Sequence, residues 1–190
     1  MLDAARSLVL ELGPRGATME AIASVSGAPT GSLYHRFQSR DSLLVRLWMR
    51  AACRSQASYL AALECTDPLE GAVRAALALY DFCREHPADA SLLASIRRDD
   101  LLSDELDASL AKEAAEINAP IERAVTTLAK RLYERRSRAA LERVRFATMD
   151  LPFGAVRRHL RAGGALPAGL RSDVERAVRA TLDAPLEHRR

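Results

Sequence analysis

Apolar residues recur at helical spacing along nearly the whole chain, and no stretch alternates apolar with polar as a half-buried strand does. That periodicity sets aside β architectures before any motif is read. Ala5, Leu8, Val9 and Leu12 form the first i, i+3, i+4, i+7 stripe, and Gly13-Pro14 ends that segment. Thr18 caps a short second helix with Glu20 in its first turn, where an acid suits the dipole. Met19, Ile22, Ala23 and Ser26 line one of its faces, and Gly27 stops it. Ala28-Pro29-Thr30 then turns the chain into a third short helix around Leu33, Tyr34 and Phe37. Ser39 caps the next helix, which carries Asp41 in its first turn, continues through Leu43, Leu44 and Leu47, and runs to about Leu63.

Prolines punctuate the rest. Pro68 and Pro87 read as helix starts, whereas Pro120 marks a kink or a boundary. Arg161-Ala162-Gly163-Gly164-Ala165 is the clearest break, followed by a last helix near Arg171–Leu182. The fold class is therefore all-α. Composition agrees: 190 residues suffice for a real core, 48% are hydrophobic, and only 5% are aromatic. No apolar run approaches the ~20 residues needed to cross a bilayer. The start lacks the basic-then-apolar layout of a secretory signal. Cys53, Cys65 and Cys83 are odd in number and lack CxxC spacing, so they indicate neither a disulfide framework nor a zinc site, and a reduced cytoplasm is expected. The net charge of +3 and pI near 9.0 are compatible with a polyanionic partner.

The stretch from Thr18 to Phe37 carries the functional information. A short helix, a tight turn holding Gly27 and a second short helix make a helix-turn-helix. Ala23 is small enough for two helices to cross closely, and Gly27 tolerates the left-handed backbone of the turn. Leu33 and Phe37 are expected to anchor the second helix, leaving Thr30, Gly31, Ser32, Tyr34 and His35 directed outward. A helix so presented offers its N-terminal end to base edges in the major groove, while hydroxyls and arginines hold phosphates.

Ala4-Ala5 with Leu8, Gly13, Thr18-Met-Glu-Ala-Ile-Ala23, Gly27, Gly31-Ser-Leu-Tyr-His-Arg-Phe37 and Ser39-Arg-Asp-Ser-Leu-Leu44 agree in order and spacing with one family. In these residues the chain strongly resembles the tetracycline-repressor (TetR) family of one-component transcriptional regulators. The resemblance covers roughly the first quarter of the chain. It implies a DNA-reading helix-turn-helix domain at 1–45 and a helical effector-binding and dimerising domain at 46–190. The implied protein is a dimeric repressor that leaves its double-stranded operator when a small molecule binds. Carried across, Thr18 is a cap that also meets phosphate, and Thr30, Gly31 and Ser32 approach bases or backbone. Tyr34 and His35 match the usual aromatic and histidine pair, Arg36 joins the DNA-contacting set, and Arg40 fills the place of a basic residue that grips phosphate. Pro29 stands where the family often has serine. The first helix also begins almost at Met1, without the basic arm many members carry; this implies weaker non-specific affinity or a start further upstream.

The last two long helical patterns, roughly Arg138–Ala162 and Arg171–Leu182, are expected to pair across a two-fold axis. Val144, Ala147, Leu151, Val174, Ala177, Val178 and Leu182 would form that stripe. Tyr59, Tyr80, Phe82, Phe146 and Met149 are candidates for an apolar effector pocket, with core filling the competing role for each. Arg131, Arg135, Arg136 and Arg138, interleaved with Glu134 and Glu142, read as a solvated helix face. His35, His86, His159 and His188 lack the i, i+4 pairing of a helical metal site. Cys83 beside Phe82, three residues before His86, reads as a small core residue and not as a nucleophile with its base. No cofactor and no enzymatic activity are expected. The competing function is a helical interaction or scaffold protein that keeps the fold with degenerate DNA contacts.

Overall fold

Helix-starting chemistry divides the chain into short, capped segments. The computed structural model describes residues 1–96, 101, 106–134 and 137–186, and among these all regular structure is helical. The elements are α1 (Leu2–Gly16), α2 (Met19–Ser26), α3 (Thr30–Phe37), α4 (Arg40–Ala62), α5 (Pro68–Glu85) and α6 (Pro87–Ser95). They continue with α7 (Ala108–Glu116), α8 (Ala119–Tyr133), α9 (Arg138–Arg145), a π-helical turn (Phe146–Asp150), α10 (Leu151–Ala162) and α11 (Leu170–Asp183). Arg135, Arg136 and His188 lie outside the described residues. Among the described residues no helix is long and apolar enough to cross a membrane.

Most of the expected punctuation is present, with instructive differences. Gly13 takes φ 76°, ψ 170°, so α1 kinks there, and Pro14 opens one more helical turn instead of ending the helix. Asp67 caps α5 by accepting from the amides of Leu69 (2.8 Å) and Glu70 (3.0 Å), with Pro68 in the first turn. Pro120 is a boundary, since α8 begins at Ala119. The long helix expected over 138–162 is interrupted by the π turn just before Pro152, a residue that supplies no amide to the helical ladder.

One compact unit comprises Met1–Cys53 with Ala88–Ile117, so compactness divides the chain differently from a cut after residue 45. Its core gathers Ala5, Leu8 and Val9 of α1, Ile22 of α2, Leu33 and Phe37 of α3, Leu43 and Leu47 of α4, Leu92 of α6 and Leu110 of α7. Polar ties reinforce that core. Asp89 of α6 is fully buried and ion-paired to Arg6 of α1, while Arg50 of α4 reaches Asp3 at 2.8 Å. Trp48 donates its indole N–H to the Ile96 carbonyl at 3.2 Å.

The second unit comprises Arg54–Pro87 and the chain from Asn118 onward. Here α5 is the central element, packed against α8, α10, α11 and the π turn, with Val73, Ala76, Leu77 and Tyr80 among its buried residues. Arg171 of α11 pairs with Asp81, and Arg179 pairs with Glu70 at 2.9 Å. Those arginine contacts, Arg179 first and Arg74 second, hold the Glu70 carboxyl below its ordinary pKa. Arg131 is exposed, as expected of a solvated face, and from there it also donates to the carbonyls of Cys65 (2.9 Å) and Thr66 (2.7 Å) beyond the end of α4.

The stripe assigned to a dimer interface needs correction. Val144, Ala147, Val174, Val178 and Leu182 are already buried in a single chain, and only Leu151 and Ala177 remain half-buried. Amphipathic spacing reports that a face is covered; here the covering surface belongs to the same subunit. The buried Asp89 carries the sharpest energetic expectation. Asp89→Ala removes the buried partner of the Arg6 guanidinium, which keeps Asp3 at 3.4 Å, and should cost about 2 kcal/mol in denaturant unfolding. A loss below ~1 kcal/mol would show that the pair contributes little.

Candidate nucleic-acid interface

Two helix boundaries position the exposed helix of the head. Thr18 lies in extended backbone before α2, and its Oγ1 accepts from the Ala21 amide at 3.2 Å. At the other end Gly27 takes φ 66°, ψ 12°, the left-handed conformation that a glycine adopts without strain. Pro29 then precedes α3 with no side-chain cap, and the Ser32 amide is satisfied by the Pro29 carbonyl at 2.9 Å. The helix ends at Gln38, whose positive φ of 61° brings its amide to the Tyr34 carbonyl.

Between those ends α3 has one inner and one outer side. Leu33 is fully buried and Phe37 is 4% exposed, both within the core of the first unit. Thr30, Gly31, Ser32, Tyr34, His35 and Arg36 are all exposed, Tyr34 to 46%. The space a Cβ would occupy at Gly31 is open, so nothing inside the chain requires glycine there. The Arg36 guanidinium lies 5.7 Å from the centre of the Phe37 ring and has no carboxylate partner among the described residues. Thr18 is exposed at the start of α2, combining its capping bond with access to solvent.

Arg40 is placed differently. Its Nε donates to the Ala17 carbonyl at 3.1 Å, its Nη1 to Asp41 at 3.0 Å, and its Nη2 to the Pro14 carbonyl. The cation expected to grip phosphate is thus occupied by the chain's own backbone. Val25, 57% exposed on α2, is absent from the motif's expected contacts, although a large apolar residue outside the buried spacing is a readable signal.

Residues 1–47 match the family model described as bacterial regulatory proteins, tetR family. They form a tetR-family helix-turn-helix domain. Solved structures extend the likeness to the whole chain. The TetR-family regulator PfmR of Thermus thermophilus aligns with a TM-score of 0.74 at 19% identity, covering 98% of each chain. The ketosteroid regulator KstR2 of Mycobacterium tuberculosis aligns at 0.70 and 22% identity, over 95% of this chain and 90% of its own. The fatty acid degradation regulator FadR of Bacillus halodurans aligns at 0.70 and 16% identity, over 97% of both. No curated protein sequence matches the chain. At these identities the solved structures establish the fold, which is that of TetR-family transcriptional regulators.

In the second unit, the five effector-pocket candidates are unequal. Tyr59, Tyr80 and Phe82 are buried, and Met149 is half-buried. Phe146 is 51% exposed at the start of the π turn, so it does not line an interior cavity of the single chain. Tyr59 and the π turn do meet: Thr148 donates to the Val144 carbonyl at 2.8 Å, so its oxygen accepts the Tyr59 hydroxyl, also at 2.8 Å. Burial raises the Tyr59 pKa, with the Thr148 bond opposing. A groove of about 460 Å³ between Leu69, Tyr133, Leu182 and Leu186 involves none of the five. Cys83 is buried with its thiol pushed up to about 12 by desolvation, so at neutral pH it is a protonated core residue.

The two sides of α3 should separate cleanly by substitution. Tyr34→Ala should lower DNA affinity while leaving the melting temperature nearly unchanged, because the ring stands outward. Leu33→Ala should unfold the head by opening a core cavity, ~2–5 kcal/mol in denaturant titration. Exchange of those two outcomes would mean that α3 is rotated the other way.

Proposed function

We propose that this protein is a dimeric, ligand-responsive repressor that reads an operator through α3. The observation that carries the reading is the division of α3: Leu33 and Phe37 are buried while six neighbouring residues stand exposed in a tetR-family head. Residues 1–45 would serve DNA reading, and residues 46–190 effector binding and dimerisation. Two copies would set their α3 helices into successive major grooves of a near-palindrome, about one helical turn or ~34 Å apart. Thr30, Gly31, Ser32, Tyr34 and His35 would meet base edges and backbone, while Thr18 and Arg36 would hold phosphate.

Since Val144, Val174, Val178 and Leu182 are covered within the subunit, the two-fold contact must use other residues. Leu151, Phe153, Ala155 and Leu160 of α10 and Leu170 and Ala177 of α11 are the half-buried apolar side chains on those helices. An effector in the helical part would bind best when the two heads are spread beyond groove spacing. Its influence is limited to its preference between the two forms, typically ~1–3 kcal/mol of coupling. Tyr80, Phe82 and Met149, buried or half-buried in the second unit, are the side chains proposed for an apolar site, whereas Tyr59 is held in the core by Thr148. The place of action is the cytoplasm, where the operator is.

A gel shift with the DNA upstream of the protein's own gene, repeated at several salt concentrations, tests the reading. Sequence-selective binding whose affinity falls steeply with salt is expected, because each neutralised phosphate releases counterions. Absence of binding even at low salt would favour the scaffold alternative, for which the uncapped start of α3 at Pro29 is the supporting observation.

A further inference from the structure

We propose that Arg40 is a positioning residue for operator recognition: it sets where α2, and through it α3, stands on α4, and it does not grip phosphate. The proposal rests on the DNA-reading function above and assigns one of its residues a different task.

The end of α1 creates the need. The last carbonyls of any helix lack intrahelical partners, and the kink at Gly13 leaves Pro14–Gly16 as a single extra turn. Arg40, 26 residues beyond Pro14 and 23 beyond Ala17, donates to both of those carbonyls. Ala17 is fully buried and directly precedes the Thr18 cap, so holding its carbonyl holds the first residue before α2. The Gly27 turn then passes that placement on to α3. One guanidinium at the start of α4 therefore joins the end of α1 to the beginning of α2.

The same geometry argues against a phosphate role. A guanidinium binds an oxyanion best through a pair of parallel N–H groups, and Nε and Nη2 supply such a pair. Here both point at backbone carbonyls, while Nη1 lies on the Asp41 carboxylate, which offsets the charge. Arg36, exposed on α3 and without a carboxylate partner among the described residues, is the better-placed phosphate ligand. Lysine is no substitute at position 40, because a single ammonium lacks the planar fork that serves two carbonyls and a carboxylate together.

The test uses a duplex that the full-length wild-type protein selects from a random pool, and a scrambled duplex of the same composition. Arg40→Lys and Arg40→Gln are compared with wild type after thermal melts establish that each is folded at the assay temperature. If the glutamine variant does not fold, the lysine variant carries the test. Positioning predicts that either folded variant loses about tenfold or more on the selected duplex, that scrambled-duplex affinity changes little, and that the salt slope is kept. Arg40→Lys behaving as wild type, with Arg40→Gln weakened equally on both duplexes and its salt slope shallower by about one, would make Arg40 a phosphate contact and overturn the proposal. Lower melting temperatures with unchanged selected-duplex affinity would overturn it too, leaving a purely structural arginine. Failure of the wild type to select any sequence would instead sink the DNA-reading function itself, and this inference with it.

Discussion

Two side chains four residues apart, Leu33 and Phe37, determine which side of α3 meets the outside. Both sit in the core formed by α1, α2, α4, α6 and α7, and their burial fixes the rotation of an eight-residue helix too short to persist alone. Every candidate DNA contact on α3 depends on that rotation. Tyr34 and His35 are exposed because Leu33 is not, and a turn of the helix by one residue would bury one of them in place of an anchor. The exposed glycine at position 31 fits the same division, since the interior makes no demand on it.

Short helices have a second requirement, the carbonyls at their C-terminal ends, and arginine meets it repeatedly. Arg40 reaches the carbonyls of Pro14 and Ala17 at the end of α1, and Arg131 reaches Cys65 and Thr66 beyond α4. Arg143 donates to Ala184 and Pro185 beyond α11, where the Tyr133 hydroxyl also finds the Leu182 carbonyl. Each arginine lies on a different helix from the end it satisfies. A bond within one helix would stabilise only that helix, whereas these bonds also set the relative placement of two elements. Of the 28 basic residues only Lys112 and Lys130 are lysine, so the chain is well supplied with the side chain that can do this.

In the second unit, coverage within the subunit corrects an expectation. Val174, Val178 and Leu182 recur every four residues along α11, and that stripe meets α5 within the same chain. Beside it, the π turn accommodates Thr148, whose hydroxyl accepts from Tyr59 while donating to the Val144 carbonyl. Both hydroxyls are thereby satisfied in a buried setting, where an unmet one would cost about 1–3 kcal/mol. Tyr59 thus has a complete structural role in the core.

Local chemistry in the sequence was enough for the helices, most of their ends and the head. The Thr18 cap, the Gly27 stop, the Ser39 cap and the Leu33–Phe37 anchor are decided by residues a few positions apart, so spacing alone reveals them. Tertiary structure decided what depends on residues far apart in the chain. Arg40 is a backbone clamp because Pro14 and Ala17 come to it, the α11 stripe is core because α5 covers it, and Asp89 is buried because Arg6 is there to receive it. A pattern of apolar and charged positions states that a face needs a partner; only the packed chain supplies which one.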